Sequence, residues 1–184
     1  MQIERQLQGT LNTIFTELIK EKCLQARLQA YPAQEENRAD ITLKNKNGKP
    51  IFFIELKDPT AKDGRSVFDS KILLREVQRA QDLNIKYFGN CNFLACAFFD
   101  KDKLSEKVSV REGFFTLQDI FRLSENYSPS KEIQNKLRSI ANFYLERAIE
   151  ILDKKPISFS PIDELFIFNN INQARKFCNI FFTF

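Results

Sequence analysis

The sequence contains no histidine and no tryptophan, and it has a single methionine among 184 residues. The lack of histidine excludes a His general base, a Ser-His or Cys-His nucleophile pair and most zinc sites, because each of these needs an imidazole. Whole classes of hydrolase and metalloenzyme are therefore excluded before any motif is considered.

A secretory leader, a CxxC pair and a long apolar run are also lacking. Charges interrupt the segment from Ile3 to Lys22 throughout, and no run approaches the roughly 20 apolar residues of a membrane span. These features predict a soluble, cytoplasmic protein with no membrane partner. We expect free buried thiols at the four cysteines, which are Cys23, Cys91, Cys96 and Cys178.

Phenylalanine is abundant instead, with 19 residues, and 43% of the chain is hydrophobic. Phe and Ile pack well on strands, so the composition favours an α/β or α+β domain. The length suits one compact domain with a helical appendage. The net charge of +4 is compatible with a nucleic-acid partner but is also common in ordinary soluble proteins.

The sequence pattern predicts five helical segments. The first runs from Ile3 to about Ala30, and the second from about Phe68 to Leu83. A third begins at Thr116, where Asp119 three residues later nearly completes a capping box. A longer one follows over roughly Lys131 to Leu152, and the tail from Pro161 to Phe184 is predicted to be helical and unusually apolar.

Two strands are predicted on either side of Asn47-Gly48, a strong signal for a hairpin turn. They comprise residues 39–43 and 51–57. The stretch from Ile85 to Asp100 is apolar without a helical period, which indicates one strand or a tight strand pair broken near residues 89–92.

The hairpin predicts which polar side chains meet. If Asn47 and Gly48 are the two turn residues, cross-strand partners have numbers that sum to 95, so Asp40 faces Glu55. Opposed residues share a face, with their Cβ atoms about 4.5 to 5.5 Å apart. Lys57, two residues further along, joins the same face, while Ile54 and Leu56 point into the core and Phe53 lies beneath the site.

Opposed carboxylates repel unless a cation lies between them. Magnesium prefers hard oxygen ligands and commonly takes one or two protein carboxylates plus phosphate oxygens. Asp40 and Glu55 would bind it, and Lys57 would orient or activate a water molecule near a scissile phosphate. In the alternative interpretation, the three are ordinary charges on a half-exposed hairpin, with Lys57 paired to Glu55 or Asp58.

The segments Asn37-Arg38-Ala39-Asp40-Ile41 and Pro50 to Pro59, with Glu55-Leu56-Lys57 at its centre, resemble the PD-(D/E)xK nuclease motif. The similarity covers about Ile3 to Asp100 and is greatest to nuclease domains of type I restriction subunits and of fused restriction-modification enzymes. It implies a restriction-endonuclease-like core, in which helices flank a central mixed sheet, followed by a C-terminal helical extension.

The resemblance implies that Asp40 and Glu55 bind magnesium, with manganese as an alternative, and that Lys57 assists the attacking water. An acid on the first helix would complete the site. Glu4 fits the family pattern best, while Glu17 and Glu21 remain alternatives.

The family also implies DNA-contacting residues after the catalytic strand. Members often carry a Gln four residues before a Tyr on the next helix, and Gln78 matches the Gln although Asp82 replaces the Tyr. Between residues 44 and 86, ten Lys and Arg stand against six Asp and Glu, which suits a phosphate backbone. The candidate backbone contacts are Lys62, Arg65, Lys71, Arg75 and Arg79, although a solvated helix face is the commoner meaning of such charges.

We therefore expect a nuclease-like domain over residues 1–125 and a helical connector over 126–184. The connector resembles the one that leads to a methyltransferase domain in fused enzymes, and its apolar end predicts a missing partner. The partners implied are DNA and further domains or subunits such as a methyltransferase or helicase. Two other functions stay open: a catalytically inactive nuclease-fold module that binds DNA or a subunit, and a scaffold whose apolar tail docks on another chain.

Overall fold

The computed structural model describes residues 2–32, 39–104, 108–128 and 130–157. The tail from Pro161 to Phe184, including Cys178, lies outside these ranges. The elements in chain order are α1 (Gln2–Glu21), β1 (Leu28–Pro32), β2 (Ile41–Asn45), β3 (Pro50–Leu56), α2 (Ser70–Asp82), β4 (Tyr87–Cys91), β5 (Ala95–Asp100), β6 (Val108–Glu112), α3 (Leu117–Glu125) and α4 (Lys131–Leu152).

The six strands form one mixed sheet in the order β1-β2-β3-β4-β5-β6. All neighbours are antiparallel except β3 and β4, which run parallel because α2 returns the chain to the same end of the sheet. A mixed sheet with flanking helices is the predicted architecture, and the structure confirms the α+β class.

The core consists of two aromatic layers, one on each face of the sheet. On the α2 face, Phe53 stacks on Phe88 and Phe88 stacks on Phe99. On the other face, Phe52 contacts Tyr144 of α4, which is fully buried. Both faces are thus covered, which is why β3, β4 and β5 are almost continuously buried.

The hairpin of β2 and β3 has the predicted register but not the predicted turn. Ile41 pairs with Ile54, so the numbers sum to 95 at the end nearest Asp40. Near the turn Lys44 pairs with Pro50 instead, because the loop is longer than two residues and Gly48 takes a positive φ of 74°. A bulge between these two regions restores the predicted pairing.

Two strands were missing from the sequence prediction. The first helix ends at Glu21 rather than near Ala30, since Cys23 adopts a positive φ of 55° and the chain then forms β1. β6 falls in a stretch for which no element was predicted. Cys23 is exposed, contrary to expectation, whereas Cys91 and Cys96 are buried free thiols as predicted.

The other helices agree closely with their sequence patterns. α4 has the predicted bounds, α2 is shorter by a residue or two at each end, and Thr116 with Asp119 forms a full capping box for α3. The break between β4 and β5 lies at residues 92–94, so Gly89 belongs to the strand. None of the helices in the described ranges is long and apolar enough to cross a membrane.

Candidate active site

The structure brings together Asp40, Glu55 and Lys57, as the hairpin predicted. The Asp40 carboxylate Oδ2 accepts a hydrogen bond of 2.7 Å from the backbone N–H of Leu56, the residue between the other two. Lys57 Nζ donates to Glu55 Oε1 at 2.7 Å. The predicted supports are also present, because Ile54 and Leu56 are fully buried and lock the strand in place.

Asp40 lies in an electrostatic environment that disfavours its charge. Burial, followed by repulsion from Glu55, raises the pKa of Asp40 to about 7. The hydrogen bond from Leu56 and the attraction of Lys57 oppose this change without cancelling it, and Glu4 adds further repulsion. At neutral pH, Asp40 would therefore gain from any cation placed beside it.

Lys57 remains a cation at this site. Burial lowers the pKa of its ammonium, but the hydrogen bond and attraction to Glu55 outweigh burial, so its pKa lies above the usual value. Lys57 can therefore donate hydrogen bonds to a water molecule or a phosphate oxygen, but it is not a base in this state.

The first-helix acid at the site is Glu4. Its Oε2 accepts a hydrogen bond of 3.0 Å from the backbone N–H of Asp58, which directly follows Lys57. The alternatives Glu17 and Glu21 lie further along α1, where both form ion pairs with Arg138 of α4. Of the three candidates, Glu4 is therefore the one beside Asp40.

Arginines of α2 surround Glu55, although the sequence analysis had assigned them to DNA contacts. Arg75 Nη2 donates to Glu55 Oε1 at 2.6 Å, and Arg79 Nη1 donates to Glu55 Oε2 at 2.8 Å. Arg79 also lies over the ring of Phe53, 5.4 Å from its centroid, so Phe53 does pack beneath the site.

Glu76 is a site residue that the sequence analysis missed. It is completely buried, and its two oxygens accept hydrogen bonds from Arg75 Nε at 2.8 Å and Arg79 Nη1 at 2.6 Å. Burial, then repulsion from Glu55, raises its pKa. The sequence feature that could have identified Glu76 is its position on the apolar stripe of α2, because a carboxylate buried there needs a cation as its partner. We call Glu55, Glu76, Arg75 and Arg79 the glutamate–arginine cluster.

The other candidate DNA contacts are exposed residues of α2 and of the loop before it. Gln78 is exposed on α2, and its Nε2 donates to Asp82 Oδ1 at 2.9 Å. Lys71 is exposed near the start of α2, and Lys62 and Arg65 are exposed in the segment of residues 57–69, which we call the site loop.

Two asparagines attach the site loop to the sheet. Asn90 Nδ2 donates to the carbonyl of Val67 at 3.0 Å, and Asn92 Nδ2 donates to that of Gly64 at 2.9 Å. Gly64 is required there, because a Cβ would lie 1.8 Å from the Asp58 carbonyl oxygen. The site loop, which begins with Lys57, is thus hydrogen-bonded at two points to the end of β4 and the residue after it.

Asp40 and Glu55 suit a divalent cation in ligand type, since magnesium prefers carboxylate oxygens and often takes only two from the protein. The raised pKa of Asp40 reflects first the burial of its carboxyl group and then the repulsion from Glu55, both of which a bound cation would offset. Within the residues that the structure describes, no three Asp, Glu, Cys or His side chains are grouped to hold a metal ion. A cation here would therefore rely on water and phosphate for its remaining ligands.

The fold is shared with a solved enzyme. The structure of the type IIG restriction endonuclease BpuSI is similar to 78% of this chain, with a TM-score of 0.57 and 16% sequence identity. The similar region is 17% of the BpuSI chain, so this protein spans a small part of that enzyme. No protein-family model and no curated protein matches the sequence.

Proposed function

We propose that this chain provides a magnesium-dependent nuclease domain that hydrolyses DNA phosphodiester bonds within a restriction or restriction-modification system. The observation that carries the proposal is the junction of two carboxylates and a lysine at the end of β3, where Asp40 is bonded to the backbone between Glu55 and Lys57. The likeness of the fold to that of BpuSI supports the same conclusion.

Each residue of the junction would have one chemical task. Asp40 and Glu55 would hold magnesium, or manganese in its place, with Glu4 as the third acid. The metal would supply a Lewis acid beside the scissile phosphate. The Lys57 ammonium would orient the attacking water and offset phosphate charge. Without a cation, the pKa of about 7 leaves Asp40 partly protonated near neutral pH. Asp40 would be ionised once a cation is bound, because a positive charge beside it favours the carboxylate form.

The exposed basic residues around the junction would contact the DNA backbone. Lys62 and Arg65 on the site loop and Lys71 at the start of α2 are all exposed on elements that adjoin Lys57 or the cluster. Such contacts fix the position of the protein on the duplex without reading its sequence. We propose that base recognition comes from a further domain or subunit, of which a methyltransferase or helicase is the kind implied by the resemblance.

The test separates cation binding from cleavage. Magnesium, manganese and calcium should each raise the melting temperature of the native protein, and Asp40→Asn should abolish the shift because a carboxylate ligand is lost. Lys57→Ala should keep the shift but lower plasmid nicking about 100- to 1,000-fold, the range typical of losing one positioned hydrogen-bond donor at the reacting group. Lys46→Ala, on the exposed hairpin turn, is the matched lysine control and should resemble the native protein.

A second function is favoured by the glutamate–arginine cluster. Both oxygens of Glu55 already accept hydrogen bonds from basic side chains, which would suit a module that binds DNA without cutting it. In that case the protein would bind duplex DNA with an affinity that divalent cations and Asp40→Asn leave unchanged. Cation-independent binding together with no melting shift would reject the nuclease in favour of the module.

A further inference from the structure

Arg75 and Arg79 differ sharply in how firmly they are held. The Arg79 side chain is 15% exposed, bonds both glutamates through Nη1 and lies over Phe53. The Arg75 side chain is 50% exposed. Ion pairs that water can reach are weak because solvent screens them and the long side chain loses conformational freedom. Arg75 can therefore leave Glu55 at much lower cost than Arg79.

The hydrogen bonds of Glu55 decide which group must move for a cation to bind. Oε1 accepts from both Arg75 Nη2 and Lys57 Nζ, whereas among the residues that the structure describes Oε2 accepts from Arg79 alone. Lys57 is 18% exposed and belongs to the tightly attached site loop. Access to Oε1 is thus most readily gained by displacement of Arg75.

Glu76 gives Arg75 a second anchor that this displacement does not break. Arg75 Nε bonds to Glu76 Oε1, while the bond to Glu55 is made by Nη2. If Nη2 leaves Glu55, the side chain can stay attached at Nε while its outer nitrogens turn toward solvent. A guanidinium held in this way presents two donors in one plane, which matches the geometry of a phosphate.

We infer that Arg75 covers Glu55 in the free protein and moves to a DNA phosphate when Glu55 takes up a divalent cation, with Glu76 as its pivot. This inference rests on the proposed nuclease function and names a phosphate-binding residue for it. In the free protein Arg75 is one of three cations that pair with Glu55. In the complex the divalent cation would take its place at Glu55 and also compensate Asp40, while Arg75 would pair with one phosphate.

The experiment measures two equilibria of Arg75→Ala with calcium as the cation, since calcium also takes carboxylate oxygens. Calorimetry without DNA should show calcium binding about two- to fivefold tighter than in the native protein, because a competing exposed ion pair is gone. Binding of a short random-sequence duplex in calcium should be weaker. Its dependence on salt should fall by about one unit of log K per log salt, the effect of one lost phosphate contact.

Two controls make the result specific. Arg122→Ala removes the same charge from an exposed position on α3 and should leave both equilibria as in the native protein. Arg75→Lys keeps a positive charge and should retain the native salt dependence. Circular dichroism should show Arg75→Ala folded, because Arg79 still pairs with both buried glutamates.

The outcomes separate this inference from the proposed function. Suppose that calcium binds the native protein and that Asp40→Asn abolishes the binding. If Arg75→Ala then binds calcium no more tightly than the native protein does, the role of Arg75 is overturned while the metal site stands. An unchanged salt dependence in Arg75→Ala also overturns it. If neither the native protein nor Arg75→Ala binds calcium, with or without DNA, both the inference and the nuclease proposal fail.

Discussion

Asp40 makes the stability of the protein depend on pH. Its pKa rises from 3.8 to about 7 on folding, so the folded chain binds the Asp40 proton more tightly than the unfolded chain does. Stability from this group is therefore fully present below about pH 4 and is lost as the pH rises to about 7. The loss is at most about 1.4 kcal/mol for each pH unit in that window.

We expect Asp40→Asn to become progressively more stable than the native protein between pH 4 and pH 7, and to keep that advantage above pH 7. The amide keeps an oxygen to accept the hydrogen bond from Leu56 but carries no charge to desolvate. Urea unfolding at several pH values measures the difference. Asp82→Asn, on the exposed face of α2, should show no such trend. A constant difference across the range would contradict the electrostatic origin.

Glu55 and Glu76 show why a residue's neighbours matter more than its type. Repulsion between opposed carboxylates was expected to require a metal, yet Arg75, Arg79 and Lys57 supply the positive charge around Glu55. Asp40, by contrast, accepts its hydrogen bond from the backbone N–H of Leu56 rather than from a cation. The alternative prediction that Lys57 pairs with Glu55 is confirmed as a contact, and it does not exclude the catalytic role.

At the scale of elements, the contact between β4 and α4 is unusually close. A Cβ on Gly89 would lie 2.5 Å from Tyr144 Cε1, and the Tyr144 hydroxyl donates to the Asn90 carbonyl at 2.8 Å. The strand therefore needs a glycine in its interior, in spite of the cost of glycine in a strand. This contact also holds Asn90, which in turn bonds the site loop.

We expect Gly89→Ala to lower the free energy of unfolding by about 1 to 3 kcal/mol, as for overpacked cores. Gly9→Ala makes the same chemical change on an exposed position of α1 where nothing lies within 4 Å, and it should stabilise by up to about 1 kcal/mol. Chemical denaturation of both variants measures the two effects. Equal stability of Gly89→Ala and the native protein would show that Tyr144 can move aside.

On the scale of the whole molecule, α4 packs into the same core as the sheet. Its residues Leu137, Ile140 and Tyr144 are fully buried in the cluster that also contains β3 and β5. The division after residue 125 stays a prediction about how the chain connects to a further domain. From this packing we predict that folding of residues 1–125 depends on the helix that follows them.

We therefore expect a chain ending at residue 125 to lose cooperative thermal unfolding, because one face of the sheet would be left exposed to water. A chain ending at residue 157 keeps all the packing described for α4 and should unfold in one transition. Differential scanning calorimetry compares the two. A cooperative transition in the shorter chain would show that α4 is an appendage rather than part of the core.

The sequence by itself determined the features that depend on local spacing. The bounds of α4, the capping box of α3 and the pairing that sets Asp40 near Glu55 all follow from periodicity and short-range chemistry. The sequence alone also shows that the pattern of Asp40, Glu55 and Lys57 resembles a nuclease motif. Its catalytic meaning stays a prediction.

Only the tertiary structure decided which charges meet across long separations. Arg75 and Arg79 reach Glu55 because the parallel pairing of β3 and β4 places α2 over that face of the sheet. β1 escaped prediction because it continues a helical pattern in sequence but gains its hydrogen bonds from β2. The sequence contains the acidic and basic residues of the site, but the fold determines which of them pair. Ion pairing depends on the distances between elements in space rather than on the spacing of residues along the chain.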